Sequence, residues 1–237
     1  MGLDPDPLGQ AVSIPTGDAV LQGDLVVPPS STGLVLFAHG SGSSRFSERN
    51  RAVAAVLQQS GLATLLMDLL TPQEESVDRY TRQYRFDIEH LGRRVVAVAD
   101  WVSALPSVGV LPIGCFGAST GAAAALIAAA ERPAAVRAVV SRGGRPDLAA
   151  RVLHLVEAPT LLIVGELDDE VLLLNEQAKR SMRAPVVLEI VPGATHLFEE
   201  PGTLSTAAAL ARDWCLRHLV PRGTGRRALS QPPERLP

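Results

Sequence analysis

From residue 34 to residue 219 the chain alternates between short, nearly uninterrupted apolar runs and longer stretches with helical periodicity. No other feature narrows the fold as far. The run Leu34-Val35-Leu36-Phe37-Ala38, closed by His39 and Gly40, has no polar side chain to turn toward water. It therefore reads as a strand buried on both faces. The segment 48–61 repeats its apolar residues at helical intervals and stops at Gly61. Strand-like runs recur at 62–70, 108–117, 136–144, 160–169 and 186–193. Helical stretches fall at 87–105, with Asp87 as its N-cap, and at 120–133, 171–182 and 203–219, with a short one at 147–157. Residues 12–27 alternate around Thr16-Gly17-Asp18 and read as a hairpin, and 71–86 reads as a polar loop. Alternation on this scale specifies an α/β fold: a mostly parallel sheet, helices on both faces, right-handed crossovers.

The 237 residues suit one α/β domain, which we place at 12–219. Residues 1–11 and the Pro-, Arg- and Gly-rich 220–237 lack an apolar period and read as disordered ends. A formal net charge of −3 supplies no basic field for nucleic acid. Cys115 and Cys215 form no CxxC, so neither a disulfide framework nor a zinc site is indicated. Cys115 lies in an apolar run and reads as a small buried hydrophobe. The N-terminus carries Asp and Pro where a secretory signal needs an apolar run, and the small-apolar run 122–130 falls short of the ~20 residues of a membrane span. The expectation is a soluble, cytoplasmic protein with reduced thiols and neither a nucleic-acid nor a membrane partner. Its oligomeric state is not legible.

Chemistry concentrates at the ends of the strand-like runs, where open parallel sheets bind ligands. Gly117-Ala118-Ser119-Thr120-Gly121 is a G-x-S-x-G pattern between a strand and a helix. A turn that tight crowds its flanking positions, which is why they are glycine, and it pushes the serine hydroxyl outward. A serine nucleophile needs a base, and the base an orienting acid. Downstream, the run ending at Gly165 is followed by Glu166-Leu167-Asp168-Asp169-Glu170-Val171, and the next run by Pro192-Gly193-Ala194-Thr195-His196. We read Ser119 as nucleophile, His196 as base and Asp168 as acid, with Asp169 the competing candidate and a plausible N-cap of the following helix. His90, His154 and His218 sit in helical patterns. The oxyanion hole is assigned to the N–H groups of Thr120 and of Ser41, in the loop His39-Gly40-Ser41-Gly42-Ser43-Ser44. The rival reading of that loop as a phosphate cradle is weak, since Arg45 stands where G-x-G-x-x-G needs its third glycine. No metal-ligand spacing is found, and no cofactor is called for.

With HGSGSS, GASTG, GELD and PGATH in this order, the chain resembles the α/β-hydrolase superfamily, and within it the dienelactone-hydrolase-like small hydrolases. The resemblance spans roughly 12–219. It implies a sheet of about eight strands with the first antiparallel, and the roles given above to Ser119, Asp168 and His196. The dienelactone hydrolases proper use a cysteine nucleophile. Here the position is Ser119, and Cys115 lies inside the strand, which favours ordinary esters. Relatives attached to phosphoribosyltransferase domains exist, but no such domain is seen in these residues. The run at 136–144 and the run at 160–165 are too close to admit a helical cap. The expected activity is hydrolysis of carboxylic esters with small or exposed acyl groups, lactones among them. The alternatives are a silent hydrolase fold serving as a binding domain, and acyl transfer to an acceptor other than water. Arg45, Arg85 and Arg142 are candidate contacts for a substrate carboxylate, against a plain reading as solvated surface.

Overall fold

The structure is a computed structural model, and residues 9–219 are described. The expected tail 220–237 and residues 1–8 lie outside them, while Gln10 and Ala11, expected in the disordered N-terminal end, open the first strand and pair with Leu25 and Asp24 of the second. Strands are β1 (Gln10–Pro15), β2 (Val20–Val26), β3 (Leu34–Ala38), β4 (Ala63–Met67), β5 (Ile113–Ala118), β6 (Val136–Arg142), β7 (Thr160–Gly165) and β8 (Val186–Val191). Helices are α1 (Glu48–Gln59), α2 (Pro72–Thr81), α3 (Ile88–Ser103), α4 (Thr120–Glu131), α5 (Asp169–Ser181) and α6 (Thr203–His218). The eight strands form one sheet in the order β1-β2-β4-β3-β5-β6-β7-β8. β2 pairs antiparallel with β1 and β4, and all other neighbours are parallel. The expected α/β-hydrolase arrangement is what the chain adopts.

The apolar runs do what their composition requires. Every residue of β3, β4, β5 and β7 is buried. One core, built with α1 and α6, centres on Phe37 stacked on Phe116 at 4.8 Å. The other lies under α3, α4 and α5. All of α4 from Thr120 to Ala129 is buried, and its alanines let it approach the sheet and α3 closely. The chain leaves β3 toward β4 on one side and returns to β5 on the other. The loops after β3 and β5 therefore diverge, opening a crevice at that strand reversal.

Two local expectations need correcting. Residues 71–86 are not a loop throughout, since Pro72–Thr81 is a helix. Thr71 caps it and Glu74 bonds back to the Thr71 N–H, a capping box with Pro72 at the first position. Glu74 also meets the buried Arg94 of α3, which reaches the Leu69 carbonyl as well. Conversely, 147–157 is not an α-helix but two short 3₁₀ turns, Pro146–Ala149 and Leu153–Leu155. The connection from β6 to β7 carries no cap. No helix among the described residues is long and apolar enough to cross a membrane.

Candidate active site

Ser119 follows β5 with φ 51° and ψ −122°, a backbone conformation that costs a non-glycine residue about 1–3 kcal/mol. The surroundings hold it there. Its N–H donates to the Arg142 carbonyl at 3.2 Å, and its own carbonyl accepts the Arg145 N–H at 3.0 Å. The flanking glycines are steric necessities. A Cβ on Gly121 would lie 2.2 Å from the Ala38 carbonyl oxygen, and one on Gly117 2.3 Å from the Ala122 Cα. Strand β3 and helix α4 can approach the turn only because both positions are bare.

Asp168 leaves the end of β7 and His196 the loop after β8, and His196 Nδ1 lies 2.6 Å from Asp168 Oδ2. Asp168, not Asp169, occupies the N-cap position of α5, and it makes no capping bond. Its carboxylate is thus left for the imidazole, while Asp169 is the helix's first residue. The His196 loop is braced on both sides. Glu166 accepts the Gly193 N–H at 2.7 Å, and Glu200 accepts the Thr195 N–H and hydroxyl at 3.1 and 2.6 Å. Ser119 and His196 line one cavity of about 260 Å³, together with Ser41, Asn50 and Arg142.

Ser41 sits across the crevice from the start of α4, its hydroxyl 2.9 Å from that of Thr120 and donating to the Arg85 carbonyl at 3.2 Å. Among the described residues, the Ser41 and Thr120 N–H groups donate to no other group. His39 anchors this loop from within. Its Nδ1 faces the Gly40 carbonyl at 2.9 Å, and its Nε2 accepts the Leu69 N–H at 3.0 Å. Those bonds require a neutral ring, and burial pushes its pKa down, against the opposing Gly40 bond.

The three arginines part company. Arg45 pairs with Asp68 and, at 3.5 Å, with Asp24, and it packs over the Phe46 ring. Arg85 is held by the buried Asp78. Burial raises the Asp78 pKa, but the Arg85 and Tyr84 bonds outweigh it and hold the carboxyl below its usual range. Of the three, only Arg142 lines the cavity of Ser119, and it is buried rather than a solvated surface residue. Asn175 of α5 has no counterpart in the sequence reading. It is fully buried and donates to the Gly144 carbonyl at 2.9 Å, fixing the turn that grips Ser119. Its signal was a lone amide on the apolar stripe of that helix. Among the described residues no cluster of His, Cys, Asp and Glu could hold a metal.

This fold is that of the α/β hydrolases. The model of the dienelactone hydrolase family matches residues 21–218, and the chain belongs to that family. A crystal structure of a dienelactone hydrolase from Anabaena variabilis ATCC 29413 is 57% identical, with a TM-score of 0.87 over 89% of this chain and 97% of that one. Est1E from Butyrivibrio proteoclasticus shares the fold at TM-score 0.73 and 17% identity, over 87% and 98% of the two chains. A protein of Mycobacterium tuberculosis (strain ATCC 25618 / H37Rv) is 54% identical over 220 residues and is called "Putative phosphoribosyl transferase". The match covers 93% of this chain but 49% of that protein, so the chain spans about half the length of this relative.

Proposed function

We propose that the chain is a serine hydrolase of carboxylic esters with small or exposed acyl groups, lactones among them. The observation that carries this reading is the strained Ser119 backbone sharing a cavity with an imidazole whose far nitrogen is already bonded to a carboxylate. In the proposed reaction His196 takes the Ser119 proton as the hydroxyl oxygen attacks the ester carbonyl. Asp168 holds the ring in the Nδ1–H tautomer, leaving Nε2 free to accept, and it stabilises the imidazolium that forms. The N–H groups of Ser41 and Thr120 receive the oxyanion, with the positive end of α4 behind Thr120. The alcohol leaves with the proton from His196. A water activated by the same ring then releases the acid from Ser119.

The substrate range follows from the connection between β6 and β7. Two 3₁₀ turns cannot bury a long acyl chain, so the cavity stays open to solvent. The phosphoribosyl-transferase name of the Mycobacterium relative we assign to the half of that protein outside the match. The test is turnover of a panel of short-chain nitrophenyl esters and simple lactones by wild type and by Ser119→Ala. We expect wild-type turnover, highest for short acyl groups, and a loss of about 10³-fold or more in kcat in the variant. Equal turnover by the two proteins contradicts the proposal.

A further inference from the structure

The cavity beside Ser119 contains a charge that the protein does not neutralise. Arg142, the last residue of β6, is only 7% exposed, and its Nε and Nη1 have no hydrogen-bond partner. Its Nη2 reaches Asn50 Oδ1 at 3.4 Å. The guanidinium carbon lies 5.8 Å from the Phe198 ring centre and 6.0 Å from that of Phe116. Burial, and then the neighbouring charge of Arg49, push its pKa down to about 10, which leaves it cationic at neutral pH. A guanidinium taken out of water without a carboxylate is an unfavourable arrangement for stability alone. The one other buried arginine among the described residues, Arg94, has its acid in Glu74.

A second feature points to the same place. Arg49 and Asn50 belong to the first turn of α1, a 12-residue helix, and line the cavity together with its N-cap, Ser47. The positive end of that helix thus adjoins the unpaired guanidinium. Arg49 bonds Glu199 at 3.1 Å through one terminal nitrogen, while its own Nε is buried and unpartnered.

We propose that this cavity takes a substrate carrying a phosphate group, seated between the Arg142 guanidinium and the first turn of α1 with its ester carbonyl presented to Ser119. The choice of anion follows from where the donors lie. A carboxylate is matched by one guanidinium edge giving two parallel bonds. Here two guanidinium groups on different elements, Arg142 of β6 and Arg49 of α1, line the cavity next to a helix N-terminus. A tetrahedral oxyanion accepts from several directions and suits a helix N-terminus. Arg142 is then a specificity-determining residue: it selects among esters by their charge and takes no part in proton transfer.

The esterase reaction at this site rests on the proposed function, whereas anion binding does not, and the test separates them. Inorganic phosphate and acetate are titrated by calorimetry, at matched ionic strength, into wild type, Arg142→Gln, Arg142→Lys and Arg49→Gln. Phosphate is expected to bind wild type, to bind Arg142→Gln about tenfold or more weakly, and to be partly restored in Arg142→Lys, in keeping with charge-assisted bonds. Arg49 has a partly exposed side chain, so Arg49→Gln serves should the Arg142 variants fail to fold, and is expected to weaken phosphate as well. Phosphate that does not bind wild type, or binds all four proteins equally, overturns the proposal. Acetate binding as tightly as phosphate overturns it too, by making the site one for carboxylates. None of these readings depends on whether Ser119 reacts.

Discussion

Asp168 and His196 meet at 2.6 Å across the ends of β7 and β8, and the carboxylate has no duty in capping the helix it precedes. Asp169, one residue on, points its side chain from the first turn of α5. In the proposed reaction the pair separates an orienting acid from a neighbour of identical chemistry. Asp168→Asn is expected to lower kcat for a good ester by about 10³–10⁴-fold, because the amide no longer fixes the ring's tautomer. Asp169→Asn is expected to stay within about threefold. Steady-state kinetics on the two variants checks this, and equal losses would reassign the acid.

Gly121 makes a different kind of prediction. A methyl group there collides with the Ala38 carbonyl, which belongs to the strand leading into the Ser41 loop. Gly121→Ala must push α4 away from β3, at a cost of about 1–3 kcal/mol in stability. It must also widen the gap between Ser41 and Thr120. Denaturant unfolding and ester turnover should both fall. A variant with wild-type stability and turnover would show that the tight packing is unimportant.

His39 should make stability depend on pH. Burial lowers its folded-state pKa below the 6.5 of a free ring, so the unfolded chain takes up the proton first. Its contribution is complete above that value and is lost as pH falls from there toward the lowered pKa. The slope reaches at most about 1.4 kcal/mol per pH unit for one proton. Unfolding followed from pH 8 to pH 5 in wild type and in His39→Gln checks it: the variant should lose that component of the slope.

Much of this was legible in the chain, and the exceptions have physical reasons. The alternation of strands and helices, and the place of Ser119, Asp168 and His196 past strand ends, follow from apolar runs that end in chemistry. Helix α2 was missed because it is polar nearly all round. Its evidence lay in the Thr71-Pro72-Gln73-Glu74 start, and its stability comes from Arg94, twenty residues away in sequence. The stretch 147–157 looked helical by composition, yet it is pulled into tighter turns over the Ala-rich α4. Arginines at strand ends are alike in sequence. Only the approach of Asp68 to Arg45, of Asp78 to Arg85 and of Phe198 to Arg142 tells them apart, and those approaches are tertiary.

The central claim is that Ser119 is an activated nucleophile. The most direct measurement is labelling with a fluorophosphonate, read by intact mass, on wild type, Ser119→Ala and His196→Ala. We predict one adduct on wild type, none on Ser119→Ala, and labelling slowed by about 10²-fold or more on His196→Ala, which lacks the base. Folded wild-type protein that takes up no adduct, or an adduct that persists in Ser119→Ala, would contradict the account and favour a binding domain built on a hydrolase fold.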